Sequence, residues 1–147
     1  MVTSRYYHQP PYLATKTVTF TGAANLGAVG NVPLFTVTGE VIVEYIVAYS
    51  VTTPVGATAT LALGVTNSTA LFIAATTATN LATGEFWTEA TGGGTANAGI
   101  AVPAAMKGIL VTSDIVGTVA VAAITGGVIR FDVYWRPLSA NGALVAA

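Results

Sequence analysis

Cysteine is absent from this chain, and charge is nearly so. Without cysteine there is neither a disulfide framework nor a thiolate metal site, so stability must come from packing alone. Five basic and six acidic residues leave a formal net charge of -1. That balance supplies no basic field to draw in nucleic acid or an anionic membrane, and no acidic field to collect cations. Ionisable residues make up 7% of the chain, against about 25% in an average soluble protein, while 53% of residues are hydrophobic. Mean hydropathy is +0.70. A free monomer of this size normally displays many Lys, Glu, Arg and Asp side chains, so their scarcity predicts an exterior occupied by contacts with other chains.

Long apolar runs are missing too. Segments 17–39 and 45–84 carry no charge, but Gly, Pro, Asn and Thr interrupt both. Neither offers the roughly 20 consecutive apolar residues of a spanning helix. The first eleven residues contain no apolar signal-like stretch, so no secretory leader is expected. Tyr and Trp do not recur as the paired girdles of a membrane barrel, and no membrane partner is expected.

What is present is period two. The 147 residues fit one domain. Residues 1–14 read as an extended N-terminal arm, because Pro10 and Pro11 oppose helix, and Tyr6, Tyr7 and Tyr12 carry apolar area suited to subunit contacts. Residues 15–147 read as a single β-sandwich domain. Val18 and Phe20 alternate with Thr17, Thr19 and Thr21. Val41, Val43, Tyr45, Val47, Tyr49 and Val51 are expected to form one unbroken apolar face of a central strand, with Glu40, Glu44 and Ser50 opposite. Leu61, Leu63 and Val65 follow the same rule. So do Ile129, Phe131, Val133 and Trp135, which alternate with Arg130, Asp132, Tyr134 and Arg136.

Weaker strands are expected at 34–38, 70–75, 85–89, 108–112 and 116–123, making eight or nine in all. Turns are expected at 22–30, 54–56, 67–68, 92–94 and 126–127. One helical turn is expected around Val102–Lys107, with Pro103 near its start and Gly108 closing it. Strands at this spacing without intervening helices imply an all-β, antiparallel sandwich, jelly-roll-like in arrangement. Frequent Ala and Gly within the strands suggest close backbone approach.

No constellation for chemistry emerges, and the chain is not expected to be an enzyme. His8 and six carboxylates are the only metal-ligand candidates, and Glu40 and Glu44 stand roughly 13 Å apart along a strand, too far to share a cation. Glu85 and Glu89 fail likewise. Asp114 follows Ser113 in an expected turn, where Asp commonly bonds its own backbone. Gly22–Gly30 is followed by extended chain and not by a helix, so it is no phosphate loop. Asn67-Ser68-Thr69 matches a glycosylation acceptor that arises readily by chance. Arg130, Trp135 and Arg136 make at most a small basic patch, short of a nucleic-acid site. No cofactor is expected.

Two stretches, TVTFTGAANLGAVGNVPLFTVTGEV at 17–41 and FDVYWRPLSANG at 131–142, together with GATATLALGV at 56–65 and ALFIAA at 70–75, resemble small capsid-associated proteins encoded among the structural genes of tailed bacteriophages and prophages. The resemblance implies a virion protein on the capsid exterior, a decoration or cement protein. Its implied partners are the major capsid protein and copies of itself, with a homotrimer as the expected oligomer. The alternatives are a tail or fibre component that binds a host surface, and a small membrane β-barrel.

Overall fold

The computed structural model describes residues 11–147, so Tyr6, Tyr7 and His8 lie outside the described residues. Eleven strands follow one another: β1 (Tyr12–Thr19), β2 (Gly30–Thr38), β3 (Val41–Val55), β4 (Thr60–Val65), β5 (Ser68–Thr77), β6 (Phe86–Glu89), β7 (Gly92–Gly93), β8 (Lys107–Val111), β9 (Ile115–Ala120), β10 (Gly126–Pro137) and β11 (Ala143–Ala146). They form two antiparallel sheets packed as a β-sandwich. The first sheet runs β1-β10-β3-β6-β7, with β8 pairing β3 beside β6. The second runs β11-β2-β9-β4-β5.

The wiring is nested: β1 pairs β10, β2 pairs β9, β3 pairs β6, and β4 pairs β5. The inner faces of both sheets make one core, in which Phe35, Leu61, Leu63, Ile115, Ile129, Phe131 and Trp87 are fully buried. A polar tie crosses it. The Trp87 indole on β6 donates to the Thr76 hydroxyl on β5 at 2.9 Å, a buried bond between the two sheets. Ser50, also buried, donates to the Leu81 carbonyl at 2.9 Å. Burying these groups without partners would cost roughly 1–3 kcal/mol each.

Strand β10 alternates as its sequence demands, with Ile129, Phe131, Val133 and Trp135 inward. Strand β3 does not. Tyr134 pairs Tyr45 and Trp135 pairs Val43, leaving Glu44 as the extra residue of a β-bulge. The alternation therefore changes phase. Val41 and Val43 face the core, but beyond the bulge Ile46, Ala48 and Ser50 do so, while Tyr45, Val47 and Tyr49 are only partly buried, on the outer face. The single face expected from Val41 to Val51 is thus two half-faces, one on each side of the sheet.

Other expectations shift with local geometry. Tyr12, Leu13 and Ala14, expected in the arm, belong to β1 and pair Trp135, Tyr134 and Val133. Gly92 and Gly93 form β7, and the hairpin turns at Ala90 and Thr91 instead. Gly126 and Gly127 begin β10 as an irregular pairing with the end of β3. The helical turn is a three-residue 3₁₀ turn, Ala104–Met106, that buries Met106. Asp114 bonds across strands and not within its own turn: its carboxylate accepts from the Val37 N–H at 2.8 Å, and its carbonyl from the Thr66 N–H at 3.0 Å.

Close backbone approach is most acute at Gly64. Strand β5 carries several unpaired residues opposite it, since Leu63 pairs Ile73 but Val65 pairs Ser68. A Cβ at Gly64 would stand 2.2 Å from the Ser68 carbonyl oxygen. Gly64→Ala should therefore cost about 1–3 kcal/mol, the range for overpacking a filled interior. Gly99→Ala, where nothing lies within 4 Å, should leave stability almost unchanged. Urea denaturation of the two variants against the parent measures the difference, and equal midpoints would contradict this packing.

Candidate functional site

The phase change in β3 sets the outer face of the first sheet. Register places its outward side chains in rows across the strands. One row is Leu13 (β1), Tyr134 (β10) and Tyr45 (β3). The next is Thr15, Asp132 and Val47, continued on β6 by Thr88, one position beyond the Ala48–Trp87 pair. The third is Thr17, Arg130, Tyr49 and Phe86.

The middle row has short side chains and the flanking rows have long ones, so the face is a trough running across the strands. Its volume is about 550 Å³, and Ile100 and Val102 also line it. One wall is a stacked pair, Tyr45 and Tyr134, with ring centroids 4.4 Å apart and planes at 24°. On the other, Tyr49 meets Phe86 edge-on at 5.1 Å, and the Arg130 guanidinium lies 5.3 Å from the Tyr49 ring centroid.

The floor is polar and internally ordered. Asp132 accepts from the Thr15 hydroxyl at 2.8 Å and from Arg130 Nε at 2.9 Å, one bond to each carboxylate oxygen. Charge at the floor is therefore balanced. Thr88 is only 6% exposed, and its hydroxyl makes no hydrogen bond among the described residues. Beside the trough, Arg136 Nε sits 2.9 Å from a Glu44 carboxylate oxygen, which anchors the bulge residue to the neighbouring strand. Glu44 is an ion-pair partner.

A second kind of surface occupies the ends of the sandwich. At one end, Leu26, Val29, Val55 and Val121 are exposed. Gly27 brings two of these loops together: its carbonyl accepts from the Ile124 N–H at 2.8 Å, and with φ +114 and the Ile124 carbonyl oxygen 2.1 Å from any Cβ, only glycine fits. Val121 is 75% exposed at φ +70, and the Ala122 N–H donates to the Ala120 carbonyl at 2.9 Å, so it centres a γ-turn of the strained, positive-φ kind. For a β-branched residue this conformation is an outlier costing of order 1–3 kcal/mol. At the opposite end, Leu110 and Leu138 are exposed beside a shallow groove with Glu40 and Thr112.

Of the tyrosines expected to make subunit contacts, Tyr12 is described. Its ring packs at a tilt against Trp135, centroids 5.0 Å apart, and it remains 44% exposed at the edge of the first sheet. The trough was not expected from sequence, because Tyr45, Val47 and Tyr49 had been assigned to one face with Val41 and Val43; only the misfit between β3 and β10 reveals it. No group of three or more His, Cys, Asp and Glu that could hold a metal occurs among the described residues. No helix there is long and apolar enough to cross a membrane.

Comparison with protein-family models, with curated proteins and with solved structures yields no match.

Burial raises the Tyr45 phenol above its ordinary value of 10.0, and the neighbouring Tyr134 pushes in the same direction. A group that holds its proton more tightly when folded contributes stability that is complete below the unfolded value and is lost as pH rises through the folded one. Stability should therefore fall above pH 10, and Tyr45→Phe should make that fall shallower. Denaturant melts through the alkaline range test this, and parallel curves for the two proteins would contradict it.

Proposed function

We propose that this chain is a structural protein of a virus particle, a decoration or cement protein that seats many copies on the exterior of a capsid and packs against the major capsid protein and its own copies. The supporting observation is where its apolar side chains stand. In a chain with five basic and six acidic residues, both ends of the sandwich present exposed Val and Leu, and Val121 does so in a conformation unfavourable for a β-branched residue. The charge that remains is partly spent internally, since Arg130 pairs Asp132 and Arg136 pairs Glu44. An exterior of this kind suits a subunit held in contacts, because obligate interfaces resemble a core cut in two.

The nested strand order supports a jelly-roll reading of the sandwich, an arrangement that recurs in viral capsid domains. That is an analogy of fold and not of site. The resemblance of 17–41 and 131–142 to phage structural proteins points the same way. A closed trimer is the proposed assembly, since a ring buries one repeated patch without leaving an open end.

Sedimentation velocity across the micromolar range is the test. The parent should sediment as a discrete oligomer, and Leu110→Lys, which places a charge at an exposed apolar end, should shift it toward monomer. Val121→Gly should also weaken association while raising stability by about 1 kcal/mol, because glycine adopts the positive φ of this turn without the Cβ clash of a β-branched residue. A parent that stays monomeric at the highest concentration would overturn the reading.

A further inference from the structure

We infer that the outer trough of the first sheet binds a neutral glycan chain, a role separate from the apolar ends on which the virion reading rests. A pyranose ring has an apolar C–H face and a rim of hydroxyls that donate and accept hydrogen bonds, so its site needs apolar walls and uncharged polar capacity between them. The trough supplies both. The Tyr45–Tyr134 pair forms one wall and Phe86 lies on the other, while the floor between them carries Thr15, Asp132 and Thr88. Its volume, about 550 Å³, falls within the roughly 300–1,000 Å³ of small-ligand sites.

Three observations favour hydroxyls over the other occupants an apolar groove could take. Thr88 lines the floor with a hydroxyl that makes no hydrogen bond among the described residues and is not one of the buried side-chain atoms left without a partner, so it faces the open trough. Arg130 gives Nε to Asp132, and its terminal nitrogens make no hydrogen bond among the described residues, which leaves donors at the rim. The Arg130–Asp132 pair is closed on itself, so the floor has no net charge for an ionic ligand to complement. An apolar side chain from another protein would dry the Thr88 hydroxyl without replacing its water, which incurs the full desolvation penalty of that group. A sugar hydroxyl restores the bond.

The experiment is protein-observed NMR of the full chain titrated separately with cellohexaose, chitohexaose and maltohexaose. At least one should shift the amides of Thr15, Val47, Thr88 and Asp132 saturably at millimolar concentration, with the amides at the sandwich ends unmoved. Thr88→Val preserves shape and should weaken that binding about tenfold, the loss expected when a buried hydrogen bond goes unmade. Arg130→Met, at a position 44% exposed in its side chain and therefore safe for folding, should weaken it severalfold. The inference is overturned if none of the three sugars shifts those amides, or if Thr88→Val and Arg130→Met bind as the parent does. It is also overturned if the same amides shift with protein concentration alone, which would assign the trough to a second copy of the chain.

Discussion

Strand β3 has more residues than its partner β10 can pair, and the surplus nearest its start falls at Glu44, with further irregularities at Val51 and beside Gly126. A period-two element cannot absorb an extra residue without exchanging its faces, so the stretch from Tyr45 to Ser50 is inverted relative to Val41 and Val43. Before the bulge, Val41 and Val43 close the core; after it, Ile46, Ala48 and Ser50 do. Because Ala48 and Ser50 are small, the first sheet there leaves room for the Trp87 indole, and Ser50 has a hydroxyl to satisfy the Leu81 carbonyl. The same inversion turns Tyr45, Val47 and Tyr49 outward, where they meet Tyr134, Asp132 and Arg130 from β10. Core and trough are two sides of one geometric event, and the Arg136–Glu44 pair sits at its origin.

Against that scaffold the shortage of charge acquires a location. On the first sheet Arg130 pairs Asp132 and Arg136 pairs Glu44, while apolar residues take the exposed corners at both ends. Hydrophobic exposure of this kind is tolerated where another surface covers it. The turn at Val121 adds a strained, positive-φ β-branched residue to one of those ends, held by the Ala122 N–H to Ala120 carbonyl bond and by the loops packed around it.

Much of the sandwich was legible in the residues. The alternation in 129–135 marked β10, and the period-two runs with turn residues between them marked an all-β chain, because a strand's burial pattern follows directly from its pleat. Harder to read was everything decided by pairing. The first strand begins at Tyr12, earlier than the prolines suggested, because Trp135 offers Tyr12 a ring to pack against. Strands β7 and β11 are short and poor in β-formers, so only their neighbours define them. The trough was illegible for the same reason as the bulge: an extra residue is a property of two strands together, and Tyr45, Val47 and Tyr49 continue the pattern of Val41 and Val43 unbroken in the sequence itself.

The register between β3 and β10 is therefore the quantity to measure. Cross-strand nuclear Overhauser contacts in a labelled sample should join Tyr134 to Tyr45 and Trp135 to Val43, with Glu44 skipped and the Tyr45 and Tyr134 rings in contact. Contacts that continue in step, joining Trp135 to Glu44 and Arg136 to Val43, would return Tyr45, Val47 and Tyr49 to one face with Val41 and would contradict the account of both the core and the outer trough.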